Sequence, residues 1–98
     1  MLVKVLTDAY EDVLDGRNFY DAQELGLGAY FSRTIFSDIR SLSNFAGIHP
    51  KRHGYYMMLI RRFPYAVYYD IVAEEVRVIA VLDCRRDPDW ILRRLSQR

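Results

Sequence analysis

Cysteine is almost absent from this sequence: Cys84 stands alone among 98 residues. One thiol cannot close an internal disulfide, and a chain without such staples fits a reducing cytoplasm. Long apolar runs are missing as well, and none approaches the ~18–20 residues needed to cross a bilayer. The opening MLVKVLTDAYEDV has neither the sustained apolar core nor the small-residue cleavage site of a secretory signal, so no membrane partner is expected. Net charge is scarce too. Fourteen Lys and Arg oppose 13 Asp and Glu, giving +1 at neutral pH, and no global field draws the chain to nucleic acid.

What is present is an apolar half, 51% of residues, with 14% aromatic, the composition of a chain that folds. Ninety-eight residues build one core and not two, so residues 1–98 are read as a single domain. At this length only about 60–65% of the unfolded surface is buried, which leaves apolar surface available to a partner. Charge is unevenly distributed. Acids gather before Gly26, whereas Lys51, Arg52, Arg61, Arg62, Arg85, Arg86, Arg93, Arg94 and Arg98 make the second half basic.

Leu2-Val-Lys-Val-Leu6 alternates loosely and suits a first strand. From Asp8 the period changes to three and four through Tyr10, Val13, Leu14, Arg17 and Tyr20, a helix with acids near its start. After Gly26-Leu-Gly28, the residues Leu27, Tyr30, Phe31, Ile35, Ile39 and Leu42 form one apolar stripe of a second helix. Ser43 to Gly54 reads as a loop on its Ser, Asn, Gly and Pro content. Three strand-like runs follow, Tyr55–Ile60, Tyr65–Val72 and Val76–Leu82, joined by connections short enough for hairpins. Asp87-Pro88 then caps and opens a C-terminal helix through Leu95. The expected order is β-α-α-β-β-β-(α), an α+β fold with a helical hairpin packed on an antiparallel sheet. The strands are apolar on both faces, so the C-terminal helix and a partner segment are expected to share the second face.

Two segments carry a family resemblance. Arg61-Arg-Phe-Pro-Tyr-Ala-Val-Tyr-Tyr69, taken with Leu82-Asp-Cys-Arg-Arg-Asp-Pro-Asp-Trp90, resembles the RelE/ParE toxin superfamily, closer to the ParE branch. The resemblance runs from the first strand to Trp90, though the N-terminal half matches only in pattern. It implies the toxin of a bacterial type II toxin–antitoxin system of the plasmid-stabilisation kind, neutralised by a cognate antitoxin. A ParE-like member inhibits DNA gyrase and is not known as a hydrolase. The alternatives are a RelE-like endoribonuclease that cuts mRNA on the ribosome, or a degenerate member without toxicity. Many ParE-like sequences have histidine where this chain has Asp83, and nothing after Trp90 is aromatic or histidine. A homodimer or a toxin–antitoxin hetero-oligomer is expected, and no cofactor.

The resemblance concentrates function on these two segments and so implies Arg61, Arg62, Asp83, Arg85, Arg86 and Trp90 as the target-binding set; among them the guanidinium groups match phosphate oxygens in bidentate fashion. The residues themselves give a similar division. A nuclease would draw on Arg61, Arg85 and Tyr68, but no acid–base pair stands at a defined spacing. His49-Pro-Lys-Arg-His53 has two possible metal ligands without a second pair, so no metal site is expected. Cys84 is expected to be a small, mostly buried thiol. A carboxylate at position 83 would repel a phosphate unless Arg85 or Arg86 pairs with it.

Overall fold

A computed structural model describes residues 1–98. The chain runs β1 (Leu2–Val5), α1 (Thr7–Gln23), α2 (Leu27–Phe45), β2 (Lys51–Arg52), β3 (Tyr55–Leu59), β4 (Tyr65–Val72), β5 (Glu75–Asp83) and α3 (Pro88–Ser96). The five strands form one sheet in the order β1-β5-β4-β3-β2. The helical hairpin and the three-strand meander are those expected from the sequence. β1 joins the meander beside β5 in parallel, pairing Val3 with Val76 and Val5 with Val78, which makes the sheet mixed.

The helical hairpin lies on one face of the sheet. Phe31, Ile35, Ile39 and Leu42 project from α2, and Ala9 and Val13 from α1, onto Val67, Tyr69, Val76, Val78 and Val81. The spacing of four, four and three along the α2 stripe lets one helix face supply all four residues. The helices approach closely because two glycines permit it. A Cβ on Gly28 would stand 2.3 Å from the Arg17 carbonyl oxygen, and one on Gly16 would stand 2.6 Å from the Phe31 ring. The link turns at Gly26 with φ 91°, and the Asp21 carboxylate accepts the amides of Gly26 and Gly28 at 3.0 and 3.2 Å.

Alternation puts the other parity of the strands on the second face. There Ala66, Tyr68, Ala80 and Leu82 pack under Ile91 and Leu95 of α3, as the apolar second face required. The paired tyrosines divide as a pleat demands: Tyr56 and Tyr69 face the helical hairpin, whereas Tyr55 and Tyr68 face α3. A bulge at Tyr68/Tyr69 leaves Ile79 between the partners Ala80 and Val78. α3 begins as its sequence indicates, with Pro88 in the first turn and the Asp87 carboxylate accepting the Asp89 amide at 2.8 Å.

Two expectations are corrected. The segment 43–54 is not loop throughout: α2 continues to Phe45, and Lys51-Arg52 pairs with Tyr55-Tyr56 as a short hairpin. Its two-residue turn, His53-Gly54, has φ of 56° and 86°, the left-handed pair that matches strand twist. Polar turn residues disguised those two paired positions. Cys84 is exposed and not buried, because β5 ends at Asp83 and the next residues leave the sheet.

Candidate functional site

Sheet register brings the two arginine pairs to one end of the molecule. Tyr65 pairs with Asp83, and the Cys84 amide donates to the Pro64 carbonyl at 2.7 Å. The reversal after β3, carrying Arg61 and Arg62, therefore lies against the segment leaving β5, carrying Arg85 and Arg86. Phe63 fixes that reversal. It is buried among Tyr20 of α1 and Tyr30 and Phe31 of α2, at ring separations of 5.0, 5.5 and 5.0 Å. With Phe63 anchored, the flanking Arg61 and Arg62 remain exposed.

Each arginine has a different environment. Arg85 is clamped by Asp83: its Nε donates to Oδ1 at 3.1 Å and an Nη to Oδ2 at 2.8 Å. Its backbone amide also donates to Oδ1, at 2.8 Å. These hydrogen bonds hold the Asp83 carboxyl below the usual carboxylate range, against the opposing effect of burial. The same contacts raise Arg85 further above its ordinary value. Arg86 lies 4.1 Å from the Trp90 ring centroid and Arg94 4.9 Å, so the indole carries two guanidinium groups. Arg62 donates to the Tyr30 hydroxyl at 2.9 Å. Arg61 is exposed and makes no ion pair.

The expected binding residues share one end of the sheet, and all but the exposed Arg85 line one of two clefts. Asp83, Arg86 and Trp90 border a cleft of about 320 Å³ between α1 and α3, closed by Asp15, Phe19 and Tyr65. Arg61 and Arg62 border a groove of about 880 Å³ between α2 and β3, with Arg33 and Ser37 on the far wall. Tyr68 is not brought to these arginines. It is buried under α3 on the opposite sheet face, and burial raises its hydroxyl pKa.

Acid–base chemistry has little support at this end. Burial and the Asp83 carboxylate push Tyr65 up to about 12, and burial raises Tyr20 although Arg85 opposes it. Both phenols stay protonated at neutral pH, able to hydrogen-bond but not to act as bases. His49 is elsewhere. Its Nδ1 lies 2.6 Å from the Tyr69 hydroxyl, and Tyr69 stands four residues from Tyr65 along β4, roughly 13 Å. Cys84 and Asp83 are likewise not brought to the histidines as a metal set.

One ion pair had no sequence signal. Arg98 engages Asp12 through both Nη atoms at 2.8 and 2.9 Å, and donates to the Ile79 carbonyl at 2.9 Å. Asp12 also accepts the Val81 amide at 3.0 Å. Arg98 reads in the sequence as one more arginine near a helix C-terminus. Its partner is 86 positions away.

No family model matches the sequence, and no curated protein does. Among solved structures, the fold matches a chain described as "Chromosomal ParDE TA system from P. aeruginosa". The TM-score is 0.76 at 15% identity, over 83% of this chain and 92% of that one. No helix here is long and apolar enough to cross a membrane. The chain thus shares the fold of that ParDE-system chain, an α+β architecture of the kind expected from residues 61–69 and 82–90.

Proposed function

We propose that this chain is the toxin of a ParE-like toxin–antitoxin pair, acting in the cytoplasm as one toxin domain over residues 1–98. Its target is DNA gyrase, and a cognate antitoxin neutralises it. The fold shared with a chain of a ParDE system is the observation that carries this reading. Binding is favoured over hydrolysis because the arginine-rich end holds guanidinium groups and an indole but no group that titrates near neutrality. An antitoxin with acidic side chains would complement Arg61, Arg62 and Arg86, and apolar groups on it would meet exposed Leu59.

The RelE-like reading keeps one point in its favour, four arginines at one sheet end, so the experiment separates the two. Induction in a bacterial host should arrest growth, relax plasmid supercoiling and leave transcripts intact. Cleaved ribosomal transcripts with normal supercoiling would instead identify a nuclease, and unhindered growth would remove both toxin readings. Replacing Arg85 and Arg86 together by Ala should reduce toxicity more than it weakens antitoxin binding. Unchanged toxicity in a folded double variant would exclude them from the target surface.

A further inference from the structure

We propose that Asp83 sets the specificity of the arginine-rich end: its carboxylate fills the Arg85 guanidinium fork from within the chain, keeping nucleic-acid phosphates out and leaving the surface to a protein. This deepens the protein-binding reading above and rests on it for the class of partner.

The turn after β5 does not by itself require the fork. The Arg85 amide bond to Asp83 Oδ1, at 2.8 Å, suffices to shape it. The guanidinium contacts at 3.1 and 2.8 Å are additional, and they use the bidentate geometry by which arginine takes phosphate. Stability does not account for them either. The Arg85 side chain is 61% exposed, and ion pairs at such sites contribute little.

The neighbouring cations make the consequence specific. Arg86 is spread over Trp90 and Arg62 is tied to Tyr30, leaving Arg61 as the unengaged member of the four. Affinity for a phosphate chain grows with the number of cations that displace its counterions. Asp83 offsets one of those cations, so the Asp83–Arg85 pair carries no net charge. A protein asks for less: isolated carboxylates and apolar groups match the Arg86–Trp90–Arg94 stack, since Trp and Arg are favoured anchors at protein interfaces.

The test uses the purified full chain and a fluorescein-labelled single-stranded RNA oligonucleotide, with anisotropy followed across a salt series. Asp83→Asn keeps Oδ1 as acceptor for the Arg85 amide, so the turn persists while the charge is lost. It should bind the RNA about tenfold more tightly than wild type, with a salt slope steeper by about 0.7, one added phosphate contact. The double variant Asp83→Asn/Arg85→Ala should return to wild-type affinity, and Arg85→Ala alone should weaken binding, because it leaves the Asp83 carboxylate unpaired to repel phosphate. Asp89→Asn, which removes the same charge from the next turn, should stay within about twofold of wild type. Wild-type affinity in Asp83→Asn, or tight binding that survives loss of Arg85, would overturn the proposal. Either result would leave the supercoiling assay untouched. Conversely, normal supercoiling on induction would remove the gyrase reading while the RNA effect of Asp83→Asn still stood.

Discussion

His49 shows how a single side chain can be explained fully by its neighbours. The Gly47 amide donates to the Tyr69 oxygen at 2.9 Å, and His49 Nδ1 lies 2.6 Å from the same atom. In the neutral imidazole tautomer that carries its proton on Nε2, Nδ1 accepts the Tyr69 phenol proton. Burial lowers the His49 pKa, favouring that neutral form. The sign of the pH dependence follows. As pH falls through the ordinary histidine range, the unfolded chain takes up a proton that the folded chain resists, so stability is lost below about pH 6.5. Replacing His49 by Ala should cost about 1 kcal/mol at pH 7.5, one hydrogen bond. Denaturant titrations should show the gap between variant and wild type narrowing towards pH 5.5. A gap that stays constant would place the Tyr69 proton elsewhere.

At the scale of elements, the helical hairpin depends on two glycines with unequal tolerance. Gly28 faces the Arg17 carbonyl at 2.3 Å and the Asp21 Cβ at 2.8 Å, whereas Gly16 faces only the tip of the Phe31 ring at 2.6 Å and the Tyr65 hydroxyl at 3.3 Å. A ring tip can shift and a helix backbone cannot without separating α1 from α2. Gly28→Ala should therefore destabilise by about 3 kcal/mol and Gly16→Ala by about 1–2 kcal/mol, the range for overpacking. Chemical denaturation of both variants checks the order, and a reversed ranking would mean that the helices slide to accommodate a methyl at Gly28. The element types were legible because they rest on local period. The α2 stripe at positions 27, 31, 35, 39 and 42 is helical whatever packs on it, and Asp87-Pro88 caps α3 through backbone geometry alone. β2 was not legible, since two residues have no period and their turn is His53-Gly54 rather than the commoner Asn-Gly or Asp-Gly.

Across the whole molecule, the chain end is tied to its first helix. The Arg98 and Asp12 side chains are 8% and 10% exposed, so their pair is largely removed from water. Arg98 also holds the Ile79 carbonyl, joining the end of α3 to α1 and to the bulged part of β5. Breaking such a pair leaves an uncompensated buried charge, so Arg98→Ala should destabilise by about 3 kcal/mol. Urea unfolding would measure that loss. Hydrogen exchange should show α3 amides losing protection before the β4 and β5 amides, since Ile91 and Leu95 are the buried anchors that remain. Arg98→Ala with wild-type stability would show that water replaces the guanidinium at no cost.

The sequence by itself determined the kinds of element, the helical hairpin, the strand meander, the cap of α3 and the two arginine-bearing segments that resemble a toxin family. Each of these depends on neighbours within a few positions, where backbone geometry and side-chain period act. Only the tertiary structure decided which arginine is free. The register of Tyr65 on Asp83 brings residues 61–62 beside 85–86, and the helices then place Arg61 and Arg62 in one cleft and Arg86 in another. Partners such as Arg98 with Asp12 and His49 with Tyr69 are set by how the helices and loop cross the sheet, and long-range packing of that kind leaves no period in a sequence. Asp83 belongs to both scales: it lies two residues from Arg85, close enough to suspect, but only the geometry shows its carboxylate filling the fork.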